Sequence, residues 1–453
     1  MHLNKENILF FNNITIALIS FTISILSYYW GYNNVSSIIL ILSSIFLVYL
    51  NKKEYGYYTN PVSVFSGIWL FSIGLATLRL HPVQTEWKFA AWVCLVVAFV
   101  FFIVGYNTLK NFKFNFKKNN DFDNNKKANL ILILIVFSCS LISIIIECFI
   151  CEIPLFSKDM FAYMNFGVFG LRYFGVLSAL VLPLSCLYVA KFKKQISKKE
   201  FIMLIIINVI MFCIPFLIVS RGLVLEMLFF TLFTLCSIYK KKEILVIPII
   251  LLIILFSWKS IGSLKNMDDT FLNEALKMNI LDKKEDIKTD IAEKKETPII
   301  NIKNVKLMRT YMYFALNYDN FNLNVNEINY TYGKSCFFPV YVMTGLKFVT
   351  QMKDPRNKLK KIIRRYNTYS ILFLPYMDFG IFGVAVFMFI MGFLSFFFES
   401  IYPNIIFNSI LKFCLLFSFF SPYLIYPTTF LFYIVFLIVG KKISFWTMNK
   451  YLN

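Results

Sequence analysis

The chain has 453 residues, of which 58% are hydrophobic and only 16% are charged, and its mean hydropathy is +0.66. A soluble protein carries about 25% charged and about 45–50% apolar residues, so this chain has too little polar surface for a water-soluble globule. These values exclude a soluble enzyme, a disordered protein and a secreted disulfide scaffold, and they predict an all-α protein of the lipid bilayer. A membrane β-barrel would show alternating rather than continuous apolar strands.

The formal net charge of +21 comes from basic residues in short clusters between apolar runs. We attribute it to membrane topology and expect no nucleic-acid partner. The cysteines are odd in number, nine, and most lie in apolar runs, where a thiol behaves as a small hydrophobe. Cys148 and Cys151 form a CxxC without a second ligand pair, so we expect neither a metal site nor a cofactor.

Twelve apolar runs have about the length that a membrane-spanning helix needs, about 17–25 residues. They are 8–30, 34–50, 61–79, 87–107, 129–151, 168–190, 201–219, 223–239, 243–260, 379–399, 405–423 and 426–440. The first run follows 1–7 without a small-residue cleavage site, so we interpret it as a span rather than a signal peptide.

Lysine clusters follow alternate spans and fix the expected orientation. They lie at 52–53, 110–127, 191–199, 240–242 and 441–442. By the positive-inside rule these loops are cytoplasmic, and so are both termini of this multi-pass protein. The predicted organisation is spans 1–9 in 1–260, one large external loop in 261–370, and spans 10–12 in 371–453.

The predicted external loop has two parts. Residues 266–297 are rich in Lys, Asp and Glu, which is typical of a solvated helix or mobile lobe. Residues 311–376 are dense in Tyr, Phe and Asn, and only this part is suited to docking on the membrane helices.

The arginines are more informative than the lysines, because all seven fall at or beyond the predicted external face. They are Arg79, Arg172, Arg221, Arg309, Arg356, Arg364 and Arg365. A guanidinium group is planar, permanently charged and able to bind phosphate through two hydrogen bonds at once. External arginines at bilayer depth therefore predict a site for an anionic, phosphorylated ligand.

Arg221 lies in a predicted tight hairpin, Ser220-Arg221-Gly222, with Glu226 about one helical turn further on. It either binds the ligand, pairs with Glu226 to staple the hairpin, or reaches lipid headgroups. Arg172 lies in a glycine-rich stretch that permits a broken helix, and its alternatives are ligand binding and interfacial snorkelling.

Arg309 opens an aromatic and polar stretch that includes Tyr311, Tyr313 and Asn317. Such side chains suit stacking on sugar rings, although most residues of this type form loop core. Residues 353–365 contain seven basic residues in thirteen positions. This segment is either an amphipathic surface helix on anionic headgroups, which we favour, or a guide for a polyprenyl pyrophosphate.

Asp378 is a lone carboxylate at the external start of the tenth span, where helix N-capping is the favoured role and a catalytic base the alternative. His81 lies on the external face and titrates near physiological pH, although a lone surface histidine usually has no special role. Glu147, near the external end of the fifth span, is a partner for one of the arginines.

Several short stretches occur together in the order found in one family. They are Ser220-Arg221-Gly222, 317–321, Tyr332-Gly333-Lys334 with Phe338-Pro339, and Asn367-Thr368-Tyr369 leading to Asp378-Phe379-Gly380, Gly383 and Gly392. With its many spans and one large late loop, the chain from about 150 to 400 resembles the Wzy-type oligosaccharide repeat-unit polymerases of bacterial O-antigen and capsule synthesis.

The resemblance implies a metal-independent glycosyltransferase of the inner membrane with a GT-C-like membrane fold. Its donor would be a growing glycan on undecaprenyl pyrophosphate, and its acceptor a lipid-linked repeat unit at the external face. A chain-length regulator and a flippase are the expected protein partners, and the lipid bilayer is the expected environment.

The residues fit this chemistry, because a preorganised arginine stabilises the charge that develops on a pyrophosphate leaving group. Arg221 takes this role, supported by Arg172 and Arg309. Asp378, Glu226 and His81, in that order, are candidates for the base, although positioning alone can suffice. The expected substrate contacts also include Tyr311, Tyr313, Asn317 and Lys334.

Three alternatives remain open at this point. O-antigen ligases share the architecture, but they are thought to use a histidine of the external loop, and 261–370 contains none. A flippase or other transporter should carry charges along a cavity that crosses the membrane. A structural assembly partner would not need convergent external arginines.

Overall fold

A computed structural model describes residues 5–81, 83–109, 125–158, 162–264, 305–362, 369–420 and 427–450. Within these ranges the secondary structure is helical, and no β-strand is formed. The first half contains α1 (Lys5–Tyr29), α2 (Asn33–Tyr55), α3 (Pro61–Thr77), α4 (Phe89–Thr108), α5 (Lys126–Ile150), α6 (Ala162–Asn165), α7 (Leu171–Gly175), α8 (Ser178–Phe192), α9 (Lys198–Leu217) and α10 (Arg221–Ile238). The second half contains α11 (Glu243–Leu264), α12 (Val305–Asn324), α13 (Phe338–Met343), α14 (Leu346–Val349), α15 (Phe373–Phe396), α16 (Ile405–Leu416) and α17 (Pro427–Lys450).

Each of the twelve predicted apolar runs overlaps at least one of these helices. Seven described segments are long and apolar enough to cross a membrane: α2, α4, α5, Leu171–Phe192, α9, α10 and Phe373–Ile401. Two shorter apolar helices, α3 and α16, accompany them. The prediction of a helical membrane protein is confirmed at this level, whereas the number of twelve crossings stays a prediction.

The chain divides into two compact units that interleave in sequence. Unit 1 comprises Met1–Lys113, Asp268–Phe396 and Cys414–Ile425. Unit 2 comprises Phe114–Met267, Phe397–Phe413 and Tyr426–Asn453. In this grouping, helices distant in sequence pack together: α1–α4 share a unit with α12 and α15. The predicted division at 260 and 370 concerns membrane topology and stays a prediction.

Glycines allow α4 and α15 to cross in close contact within unit 1. A Cβ atom on Gly105 would lie 2.1 Å from the Phe389 carbonyl oxygen. A Cβ atom on Gly392 would lie 2.1 Å from the Phe102 carbonyl oxygen. Because both positions face backbone rather than flexible side chains, the separation of these helices depends on having no side chain at either glycine.

Helix α12 is buried although its sequence is polar. It packs on α3, where the hydroxyls of Ser72 and Tyr318 lie 2.6 Å apart. Its Asp319 and Asn320 side chains are fully buried. A buried polar helix requires hydrogen-bond partners, and α12 obtains them from the segments that connect the other helices of unit 1.

The segment 353–362 does not form the amphipathic helix that we expected over 353–365. It contains a single 3-10 turn, Pro355–Lys358. The reason is that the next backbone N–H groups have side-chain acceptors: Lys360 donates to Asn324 Oδ1 at 2.9 Å, and Ile362 donates to Asn320 Oδ1 at 2.9 Å. The predicted solvated lobe at 266–297 and the residues 363–368 and 421–426 lie outside the described residues.

Candidate functional site

Several charged and polar side chains lie toward one end of the helices of unit 2, which we call the arginine end. It comprises Glu147, Arg172, Arg221, Glu226 and Tyr433 with their connecting segments. The N–H of Leu155 donates to the carbonyl of Leu217 at 3.1 Å. This bond places the chain that follows α5 beside the end of α9, so the end of α5 and the start of α10 lie at the same end.

Glu147 organises the glycine-rich segment 166–175 that carries Arg172. Its buried carboxylate accepts the N–H of Val168 at 3.0 Å. On the same helix, Ser140 and Ser143 donate to the carbonyls of Gly175 and Leu171 at 2.9 and 2.6 Å. The predicted use of Glu147 as an arginine partner is thus accompanied by a structural role, because it holds the turn on which the arginine is mounted.

Positive backbone φ angles explain the glycines in this segment. Gly167 and Gly170 have φ of 117° and 88°, values that side-chain-bearing residues rarely adopt. A Cβ atom on Gly167 would lie 3.1 Å from Cδ of Arg172. Val176 and Leu177 join α7 to α8 and keep right-handed helical backbone angles, and the exposed Arg172 lies in the short first piece. The glycines therefore shape the turn before α7, and a broken helix stays a prediction.

Arg221 is the first residue of α10 and is half-buried. Ser220 caps this helix by accepting the N–H of Leu223 at 3.3 Å. Glu226, further along α10, is buried, and its Oε2 accepts the hydroxyl of Tyr433 at 2.6 Å. The acid that was predicted to staple the hairpin thus has a partner on α17.

Tyr433 links the two arginine-bearing elements. Its hydroxyl also lies 3.1 Å from the carbonyl oxygen of Val176, whose own N–H donates to the Arg172 carbonyl at 3.1 Å. Since a hydroxyl has one proton, it donates to one of its two acceptors at a time. One fully buried side chain on α17 therefore joins the α7–α8 junction to α10. Sequence analysis missed Tyr433, because nothing distinguishes it from other aromatic residues in an apolar run.

Asp378 in unit 1 anchors a turn at 331–336. Its fully buried carboxylate accepts the N–H groups of Ser335 and Cys336 at 2.9 and 2.7 Å and the hydroxyl of Thr331. The backbone is non-helical at Phe379 and Gly380, so α15 is kinked directly after Asp378. The carboxylate bonds go to the 331–336 turn rather than to the helix after the kink, so they do not provide the predicted N-cap. With three donors on its two oxygens, Asp378 is a positioning residue for this turn.

The turn that Asp378 anchors presents an aromatic side chain and a cation to the surroundings. Tyr332 and Lys334 are exposed, and Tyr332 has the unusual φ of 48° followed by Gly333 at 87°. A bulky residue with positive φ is strained, and the bonds to Asp378 hold it in place. Lys334, predicted as a substrate contact, is thus accessible and mounted on a fixed turn.

His81 and Tyr311 belong to a buried network between α3 and α4. The Nδ1 atom of His81 accepts the N–H of Val83 at 3.2 Å, and burial lowers the pKa of His81, so this imidazole is neutral at pH 7. The Tyr311 hydroxyl donates to Gln84 Oε1 at 2.7 Å and accepts the Leu80 N–H at 3.1 Å. These contacts make both residues part of the core of unit 1.

Asp319 is a second polar residue that sequence analysis missed. Its carboxylate accepts Trp87 Nε1 at 2.7 Å and Gln84 Nε2 at 3.0 Å. On the same helix, Asn322 accepts the N–H of Lys88 at 2.6 Å. The recurrence of Asn and Asp along 317–324 is the sequence signal that could have revealed this buried polar helix, since amide side chains often bind the backbone of neighbouring segments.

Asn317 and Tyr313, both predicted sugar contacts, lie on α12. Asn317 is fully buried and its amide donates to the Tyr313 carbonyl. The ring of Tyr313 lies 5.5 Å from that of Phe420 in an edge-to-face arrangement. For Arg309 the structure describes the backbone, which lies in α12.

The predicted site residues therefore fall in both units. Unit 2 contains Arg221, Glu226 and Arg172, whereas unit 1 contains Asp378, His81, Arg309, Tyr311, Tyr313, Asn317 and Lys334. No protein-family model, curated protein or solved structure matches this chain. Among the described residues, the arginine end combines two arginines with buried acids and a buried tyrosine hydroxyl.

A further charged group lies elsewhere in unit 2. Lys412 on α16 is fully buried, and its Nζ lies 4.0 Å from Oε1 of Glu399 in the π-helical turn Phe397–Ile401. Glu243, at the start of α11, is buried and interacts electrostatically with Lys412. Burying a charged side chain among apolar helices costs free energy, and such residues usually have a function. This cluster therefore bears on the choice between an enzyme and a transporter.

Proposed function

We propose that this protein is a membrane glycosyltransferase that polymerises oligosaccharide repeat units carried on undecaprenyl pyrophosphate. The observation that carries the proposal is the arginine end, where the Tyr433 hydroxyl joins the elements that bear Arg172 and Arg221. Two guanidinium groups mounted on linked elements suit a pyrophosphate, which offers oxygens for more than one bidentate contact. The resemblance of the sequence to Wzy-type polymerases supports the same assignment.

The proposed reaction is a displacement at an anomeric carbon. A hydroxyl of the acceptor repeat unit attacks the anomeric carbon of the growing glycan, and the bond from that carbon to the pyrophosphate oxygen breaks. The new glycosidic bond forms while the lipid pyrophosphate leaves with the bonding electron pair. Arg221, supported by Arg172, stabilises the negative charge that develops on the leaving group.

The acceptor hydroxyl must lose its proton, and Glu226 is the acceptor that we favour. It lies at the arginine end with Tyr433 as its partner, whereas the oxygens of Asp378 are occupied by three donors. His81 is the less suitable base, because its Nδ1, the nitrogen free of a proton, already accepts the N–H of Val83, and because His81 lies in unit 1. The order that the sequence suggested therefore changes from Asp378 first to Glu226 first.

The membrane arrangement is part of the proposal. We propose that the lysine-rich loops and both termini are cytoplasmic, by the positive-inside rule, and that the arginine end faces outward from the bacterial inner membrane. We further propose twelve crossings in a GT-C-like fold, with a flippase supplying the substrate and a chain-length regulator limiting the product.

Deletion of the gene in the source bacterium tests the proposal. The lipid-linked glycans are extracted and their lengths are read by mass spectrometry, with the wild-type gene supplied in trans as control. A polymerase deletion leaves single repeat units on the lipid carrier at the external face. Long glycans that accumulate on the carrier would identify a ligase, and repeat units trapped at the cytoplasmic face would identify a flippase.

The buried group of Lys412, Glu399 and Glu243 favours transport as the second candidate function. Ionisable side chains inside apolar helices are frequent in ion and proton pathways. A transporter predicts that Lys412→Met abolishes delivery of repeat units to the external face. A polymerase predicts that the same variant, when expressed at normal level, leaves delivery intact.

A further inference from the structure

A short segment of unit 1 exposes an unusual number of apolar side chains. The exposed fractions are 63% for Phe337, 59% for Phe348 and 81% for Val349. Val340 and Leu346 are also exposed. We call these five residues, on and beside helices α13 and α14, the 337–349 patch. A contiguous apolar surface of this kind normally contacts another apolar phase.

The opposite side of the same segment packs on the protein. Phe338, Pro339 and Val342 are buried. Helix α13 is therefore amphipathic, with one apolar side in the core of unit 1 and the other facing outward, whereas α14 has no buried residue.

The patch is fixed to the start of α15, one of the helices able to cross a membrane. The Thr331 N–H donates to the carbonyl of Met377 at 2.9 Å. A Cβ atom on Gly333 would lie 3.5 Å from the Phe337 ring and 3.8 Å from the Phe379 ring. Gly333 thus adjoins both an aromatic side chain of the patch and one of α15.

The exposed surface continues from the patch onto α15. Phe379, Ile381 and Phe382 are exposed there, and so is Val386 one turn further on. On a membrane-crossing helix these side chains face lipid. The patch is therefore continuous with a lipid-facing surface at the end of a span.

Basic residues border the patch. The Lys347 Nζ lies 5.2 Å from the centre of the Phe348 ring, and Lys353 and Lys334 are exposed on either side. Aromatic and aliphatic side chains flanked by lysines are typical of segments that lie in the interface of a membrane with anionic lipids. The same combination is less suited to a protein partner, which would need acidic residues to match the lysines.

We propose that the 337–349 patch is an interfacial membrane anchor, with Phe348 and Val349 inserted at the edge of the hydrocarbon and Lys347 and Lys353 at the lipid phosphates. The occupant of the surface is the bilayer in which the chain itself resides. This anchor holds the 331–336 turn, with its exposed Tyr332 and Lys334, at a fixed height above the membrane. The inference does not depend on the proposed enzymatic activity.

Photo-crosslinking of the full-length protein tests the anchor. The photoreactive residue p-benzoylphenylalanine is introduced at Phe348 or, separately, at Val349. The control carries it at Asn357, which is exposed in the same loop but outside the patch. Each protein is reconstituted in nanodiscs of phosphatidylethanolamine and phosphatidylglycerol in roughly equal parts, illuminated, and analysed by mass spectrometry for lipid adducts.

We expect lipid adducts at 348 and 349 in several-fold excess over 357. Combining Lys347→Glu with Lys353→Glu should reduce the adducts at 349 in phosphatidylglycerol-containing discs to the level seen in discs of phosphatidylcholine alone. Equal adduct yields at 349 and 357, or adducts at 348 and 349 only with protein, would overturn the proposal. Two labelled positions guard against failure of one variant to fold.

Discussion

Replacing Asp378 with asparagine should loosen the 331–336 turn while preserving side-chain volume. One carboxylate oxygen accepts the Thr331 hydroxyl and the Ser335 N–H, and the other accepts the Cys336 N–H at 2.7 Å. Asparagine offers a single oxygen. In one orientation its NH₂ group faces the buried Cys336 N–H. In the other orientation the NH₂ group faces the Ser335 N–H and the Thr331 hydroxyl, which then lose their acceptor.

The cost follows from this loss. An unsatisfied buried donor costs about 1–3 kcal/mol, and hydrogen bonds that lose a charged acceptor weaken from about 1.5–3 to about 0.5–1.5 kcal/mol each. We expect about 3 kcal/mol of local destabilisation, which corresponds to opening of the turn on the order of 100-fold more often.

Hydrogen–deuterium exchange of the amides in 331–340 of the full-length protein measures this opening. Asp354→Asn, which removes another carboxylate from the same loop, is the matched control and should leave these amides protected. Unchanged exchange in Asp378→Asn would refute the anchoring role. Loss of polymer synthesis with full amide protection would instead identify Asp378 as a catalytic group.

Three further predictions concern pH, packing and the link between the arginine-bearing elements. Burial lowers the pKa of His81 in the folded protein, whereas in the unfolded chain a histidine has its ordinary pKa of about 6.5. Below pH 6.5 the unfolded chain therefore binds more protons than the folded protein, and the free energy of unfolding falls as the pH decreases through that range. The difference in Tm between pH 7.5 and 5.5 should therefore shrink in His81→Asn, and an equal difference would contradict the argument. Gly392→Ala should lower Tm by several degrees because its Cβ meets backbone, whereas Gly440→Ala should be tolerated because its Cβ meets only the end of a leucine side chain. Equal Tm values would show that the close helix crossing is not required. Tyr433→Phe removes the hydroxyl that contacts Glu226, should cost about 1–3 kcal/mol, and should shorten the polysaccharide on a gel at normal expression level; full-length polymer would argue against the link.

The helices of this protein could be predicted from sequence because a span requires a long apolar run, and such runs are visible without any knowledge of packing. Helix α12 could not be predicted in the same way. It is polar, and its burial depends on bonds from Asp319 and Asn322 to a segment more than two hundred residues earlier in the chain.

In the candidate site, too, some residues stand out in the sequence, whereas others depend on contacts that the sequence does not reveal. Arginine distribution singled out Arg172 and Arg221, because charge at the end of an apolar run stands out in any sequence. The role of Asp378 did not follow, because its partners are mainly backbone N–H groups, which any residue supplies. Tyr433 was missed because its partner, Glu226, is distant in sequence and a tyrosine among apolar residues gives no signal.

The most direct test of the account is the replacement of Arg221 with lysine in a strain that lacks the chromosomal gene. Lysine keeps the positive charge but loses the planar fork that binds pyrophosphate in two places. Arg356→Lys, a matched change in the 305–362 segment, is the control. At equal membrane levels, we expect Arg221→Lys to leave single repeat units on the lipid carrier while Arg356→Lys makes long chains. Long chains from Arg221→Lys would contradict the account.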